Sequence, residues 1–273
     1  MDHDHGTGTG VAPEQVAFEW ALVDTLVVLC LAGAAAGYVL GLWAARGHSP
    51  WPVHRAVAWY AGLVCVGAGL IGPVATAAHS SFTAHMAGHL LLGMLGPLLL
   101  VLGAPVTVAL RGLPVAQARS VSRLLRTPGL RVITHPVVAV VLTAGGLWAL
   151  YTTGLYQLMH TSPLLYGLVH AHIFLAGYVF TASLVGVDPD PHRAPVRVRA
   201  AVLVGFIAAH SILAKSLYVH PPAGVEAVDG QVGAQLMYYG GDVVDVTLIV
   251  LLLTGWYTAT RPREAVLTGA GPR

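Results

Sequence analysis

Apolar stretches of some twenty residues recur along this chain, and that pattern leaves few folds open. About 20 consecutive apolar residues cross a bilayer as a helix. Inside a bilayer, only helices and closed barrels can satisfy every backbone N–H and C=O. Seven spans can be drawn, at residues 23–45, 56–77, 83–104, 132–154, 162–186, 199–217 and 238–260. Each is apolar nearly all round, the mark of a membrane helix and not of an amphipathic surface helix. Only 10% of residues are charged, whereas soluble domains carry about 25%. With 273 residues, the chain has room for one membrane bundle and no sizeable soluble domain. The expected fold is all-α, a polytopic membrane helical bundle of seven transmembrane helices. The expected organisation is a flexible extracytoplasmic tail over 1–22, a membrane domain over 23–260 and a cytoplasmic tail over 261–273. The N-terminal segment lacks a basic region and a small-residue cleavage site, so the first span reads as a retained helix.

Basic residues set the orientation, because cytoplasmic loops carry an excess of Lys and Arg. Arg46 and Arg55 follow span one, and Arg111, Arg119, Arg123, Arg126 and Arg131 follow span three. Arg193, Arg197 and Arg199 follow span five, and Arg261, Arg263 and Arg273 follow span seven. With seven spans these fall on one side, leaving only Lys215 on the other. The N-terminus is then outside and the C-terminus cytoplasmic. A net charge of +2 gives no reason to expect nucleic acid as a partner. The bilayer itself is the evident one.

The histidines partition the other way. His3, His5, His79, His85, His89, His160, His170, His172, His210 and His220 fall outside or in the outer half of the bilayer, while His48, His54, His135 and His192 lie near the inner face. His85 and His89 are four apart and share a helix face. At 1.5 Å per residue, His89, His172 and His210 all lie roughly 10–13 Å below the outer surface, with Asp242 and Asp245 roughly 5–12 Å down. Ionisable groups at such depth are costly unless they face the bundle interior and find partners. Imidazole suits Cu, Zn, Fe and Ni, and thioether suits Cu(I); Met86, Met159 and Met237 near the layer tilt the choice toward copper. The plainer reading is that these histidines are hydrogen-bonding glue between helices, that Asp245 pairs with Lys215, and that the methionines and Cys30 and Cys65 are packing residues.

Specific strings add a resemblance. Residues 84–111 read AHMAGHLLLGMLGPLLLVLGAPVTVALR, followed by His135-Pro136, then AHIFLAGYVFTASLVGVDPDP over 171–191, His210 in a helix, and Gly241-Asp242. Together they resemble the seven-helix CtaG family of bacterial cytochrome c oxidase assembly proteins. Leu90 departs from the pattern, standing where a Met often follows the second histidine, and no tryptophan occurs near 181–183. The resemblance implies a non-enzymatic role in maturing the haem-copper oxidase of the respiratory chain, as a chaperone delivering copper to an oxidase subunit at the outer face. On that reading His85, His89, His172 and His210 are the expected ligands, and Asp242 is a carboxylate partner. His79, His160 and His170 are expected as access or auxiliary ligands. Two other readings stay open: an intramembrane zinc hydrolase with three His and an Asp activating water, and a bis-His haem protein.

Overall fold

The computed structural model describes residues 13–47 and 49–261. His3, His5, His48, Arg263 and Arg273 lie outside the described residues. Those described form helices, with no strand among them: α1 (Pro13–Ala44), α2 (Val53–Leu70), α3 (Pro73–Ala78), α4 (Phe82–Leu90), α5 (Gly96–Leu102), α6 (Pro105–Gly112), α7 (Val115–Leu125), α8 (Pro128–Ile133), α9 (Pro136–Thr152), α10 (Leu155–Met159), α11 (Pro163–Val185), α12 (Val196–Val219) and α13 (Ala227–Thr260).

Six stretches among the described residues are long and apolar enough to cross a membrane: Phe18–Gly47, Val53–Ala78, Phe82–Gly112, Pro163–Val185, Val196–Val219 and Ala227–Thr260. α9 is apolar but shorter. The expected span over 132–154 is trimmed at its start, where Thr134 and His135 separate α8 from α9. A residue before proline is pushed out of the helical region, and His135 is accordingly extended, at φ −68° and ψ 128°. Two other helices run longer than expected. α1 is described from Pro13, ahead of the expected start at 23. α13 starts at Ala227, ahead of the expected start of the last span at 238.

The stretch Phe82–Gly112 is the central post. In it 61% of the most apolar window is buried by the rest of the protein, against 6% in the first stretch. It is not one straight helix. Pro97 has no N–H for the carbonyl of Gly93, and a π-helical turn over Leu91–Leu95 carries the chain past it. A second break falls at Ala104, which is left-handed at φ 51°.

The bundle has two polar ends with different chemistry. At one, Asp188 receives the N–H groups of Val106 and Thr107 and the Thr107 hydroxyl, capping α6. There too Tyr38 donates to the Gly103 carbonyl at 2.8 Å and Arg199 to the Leu184 carbonyl at 2.7 Å. This is the arginine end. At the other, Asp229 at the start of α13 receives the N–H groups of Phe82 and Thr83 and the Ser81 hydroxyl. That carboxylate pins the start of α4 and so fixes the height of His85 and His89. This is the histidine end.

Candidate functional site

Three helices and the C-terminal caps of two short ones bring imidazoles together at the histidine end. His85 and His89 come from α4, His170 from α11 and His210 from α12; His79 and His160 cap α3 and α10. His85, His89, His170 and His210 are buried.

The rings form two groups. In the upper one, His85 lies 6.3 Å, centroid to centroid, from both His160 and His170, and His79 lies 6.3 Å from His160. In the lower one, His89 and His210 stack at 6.2 Å. Two imidazoles sharing an ion through metal–nitrogen bonds of about 2 Å have centroids roughly 5–6.5 Å apart. The pairs therefore stand at the outer limit of sharing. No three His, Cys, Asp or Glu side chains among the described residues form a ready-made cage.

Hydrogen bonds decide which nitrogens are free. Nδ1 of His160 meets the Tyr156 carbonyl at 2.8 Å, and Nδ1 of His170 meets the Tyr166 carbonyl at 2.8 Å. A carbonyl only accepts, so both Nδ1 atoms carry the proton and both Nε2 atoms keep a lone pair. Such a bond, one turn back on the same helix, is how a ligating histidine is commonly held. His85 is tied through its other nitrogen, with Nε2 3.0 Å from the Tyr151 hydroxyl, which also reaches Met86 Sδ at 3.8 Å. His79 lies against Trp20 and Tyr166. Burial, and then the neighbouring His160, hold its pKa below the ordinary 6.5, with Asp24 opposing. His79 thus stays neutral, the state that binds metal, to lower pH than a free histidine. Burial first, and Asp229 second, push the Tyr156 hydroxyl up to about 12, so it remains a phenol.

The lower group is drier. Both ring nitrogens of His89, Nε2 of His210, the Thr143 hydroxyl and both oxygens of Asp245 are buried without a hydrogen-bond partner. Gly241 lets His210 in; a Cβ there would stand 2.5 Å from the ring. Asp245 lies one turn along α13 from Gly241. It is 2% exposed, whereas Asp242 is half-buried. Lys215 does not partner Asp245 but lies over the Tyr238 ring at 5.2 Å.

The expected set is thus regrouped. His85 joins His79, His160 and His170, and His89 joins His210. His172 is exposed at the bundle surface, with Nε2–H donated to the Leu142 carbonyl at 3.1 Å, and it borders a small cavity together with His89 and Thr143. His135 caps α9, accepting from the N–H of Val137 at 3.3 Å. Reading the sequence missed Tyr151, Asp24 and the capping role of Asp229. A serine one residue before an apolar run was the only local hint of that cap.

Beside the upper group a cleft of about 1260 Å³ opens between α1, α2, α3 and α11. His79, His160 and His170 reach its wall, so the imidazoles are accessible from within the bundle.

The family described as cytochrome c oxidase caa3 assembly factor matches residues 36–259. An uncharacterized protein of Mycobacterium leprae is 28% identical over 256 residues, covering 85% of this chain and 39% of its own length. Uncharacterized proteins of Mycobacterium bovis and Mycobacterium tuberculosis are each 32% identical over 203 residues, covering 71% of this chain and 31% of their own length. The chain therefore spans well under half of the relatives it matches. No solved structure matches. The matched region begins inside α1, ends in α13 and takes in every imidazole of the two groups, so this chain belongs to the Caa3_CtaG family, the cytochrome c oxidase caa3 assembly factors.

Proposed function

We propose that this protein assists assembly of cytochrome c oxidase by taking up copper at the outer side of the plasma membrane and passing it to an oxidase subunit. In this reading seven helices cross the bilayer, α9 being the fourth, with the N-terminus outside and the C-terminus cytoplasmic. The histidine end then faces outward. Copper is the cargo and not a resident cofactor.

One observation carries the reading: His160 and His170 hold their Nδ1 protons on backbone carbonyls and keep both Nε2 lone pairs free. His160, His170 and His85 are the central ligands, with His79 at the approach. His89 and His210 form a deeper pair. Pairs at the limit of sharing suit an ion that must be released, since a closed tetrahedral site holds its metal. Small rotations of two rings complete the coordination.

The test is metal analysis of the detergent-purified protein loaded with Cu(I). The wild type should hold copper near one per chain. His160→Ala/His170→Ala should lose most of it, while His172→Ala, on the bundle surface, should keep it. A wild type without copper, or a double variant that binds as the wild type does, overturns the reading.

A further inference from the structure

The cleft beside the upper imidazoles is far larger than copper needs. A water molecule takes about 30 Å³ of liquid volume, and pockets for drug-sized ligands run to about 300–1000 Å³. At about 1260 Å³ this cleft exceeds both. Its lining runs from Trp20 to Ala34 on α1 and from Leu164 to Tyr178 on α11, roughly 21 Å along either helix at 1.5 Å per residue. One leaflet is half of a hydrocarbon core about 30 Å thick, so the cleft is deeper than one leaflet. Its walls are apolar, with Leu63, Val66 and Phe174 among them.

The carboxylate and the imidazoles collect at one end, while Trp59 and Tyr178 line the other. Asp24, His160 and His170 are at the first end, with the rings of Trp20, His79 and Tyr166 around them. His170 is 7% exposed. The Nε2 atoms of His160 and His170 and the Asp24 carboxylate receive no hydrogen bond from any described residue. This end therefore offers acceptors and flat aromatic faces, and it suits a head that donates hydrogen bonds. A phospholipid would bring its phosphate beside Asp24, two like charges together. A partner helix is about 10–12 Å across, and its backbone N–H groups are already used internally.

We propose that the cleft binds a membrane quinol: a flat ring with two hydroxyls, donating to Asp24 and to the imidazole Nε2 atoms, and an isoprenoid tail lying between α1 and α11. The ring reaches the aromatic end laterally from the bilayer. This site stands independently of the copper reading, although the two ligands share His160 and His170.

The experiment uses the full chain in nanodiscs of phosphatidylglycerol and phosphatidylcholine, anaerobically and with a copper chelator. Ubiquinol-10 or ubiquinone-10 is added, and the amount retained per protein is measured by chromatography after extraction. Ubiquinol should saturate near one per chain. Ubiquinone, which has no hydroxyl to donate, should bind at least about tenfold more weakly, the equivalent of one charge-assisted hydrogen bond. Ala34→Trp, which fills the cleft, and Asp24→Asn, an exposed change that leaves the bundle intact, should each weaken ubiquinol binding about tenfold. Equal retention of ubiquinol and ubiquinone, wild-type retention by both variants, or a bound phospholipid that ubiquinol does not displace overturns the proposal. Copper is absent throughout, so failure here leaves the copper reading standing, and loss of copper binding leaves this one standing.

Discussion

At the scale of single residues, Tyr151 decides how His85 can serve as a ligand. Its hydroxyl holds Nε2 of His85 at 3.0 Å, leaving Nδ1 as the available nitrogen. Partners that orient a ligating histidine typically contribute 10–100-fold in metal affinity, and Tyr151→Phe should weaken Cu(I) binding by roughly that factor. It should also lower stability by about 1–3 kcal/mol, because the buried imidazole loses its partner. Tighter copper binding in the variant would mean that the ion uses Nε2 and competes with Tyr151, and would refute the assignment. A competition titration against a Cu(I) chelator reads the sign directly. The limits of the sequence show at this same scale. His170 and His172 are two residues apart, about 200° around a helix of 3.6 residues per turn, so only one can face inward. Hydrophobic patterning, which orients a soluble helix, says nothing where a span is apolar all round. The layer of histidines was legible from their depth; the choice of His170 over His172, and of Asp245 as the buried acid, needed the rotation of each helix.

At the scale of elements, the grouping of the imidazoles depends on how closely α11 approaches the central post. Gly177 sits on the π-helical turn so tightly that a Cβ there would stand 2.1 Å from the Gly93 carbonyl oxygen and 3.0 Å from its carbon. Both obstacles are backbone, so no side-chain rotation relieves them. Gly177→Ala should therefore cost more than about 3 kcal/mol, beyond the usual range for overpacking. It should also separate His170 from His85. Gly145→Ala is the matched control, since a Cβ there meets nothing within 4 Å; replacing a helix-interior glycine should stabilise by about 0.5–1 kcal/mol. Thermal unfolding of the two variants in the same detergent checks the pair. A Gly177→Ala protein as stable as the wild type would show that the helices cross more loosely than this. In the sequence 83–104 reads as one span, and its disturbance before Pro97 went unread. That the disturbance is a π turn, placed one turn beyond His89, could not be read there, because it depends on the carbonyl that Pro97 leaves free meeting α11.

At the scale of the whole molecule, sidedness rests on one short helix. If only the six longer stretches crossed the membrane, the arginines after α11 would lie opposite those after α1 and α6. α9 spans roughly 25 Å at 1.5 Å per residue, just under a hydrocarbon core of about 30 Å, yet 17 residues is within the range that spans. Its two ends meet opposite ends of the bundle. His135 follows the arginine-bearing α7 and α8, while Tyr151 touches His85. Between them Leu142 meets His172, and the Trp148 indole donates to the Ala209 carbonyl at 3.2 Å, so α9 runs the length of α11 and α12 inside one packed unit. Only a crossing α9 keeps the arginines together, and a short span can be accommodated by local thinning of the bilayer. Reporter fusions separate the two topologies. Alkaline phosphatase, active only when exported, should be active when fused after Gly154. It should be inactive after Pro191 and after Arg261, where a fluorescent protein folded in the cytoplasm should glow instead. An active phosphatase after Pro191 would leave α9 out of the membrane crossing and split the basic residues between the two faces. It would also place His160 on the face opposite His85, against the 6.3 Å between their rings.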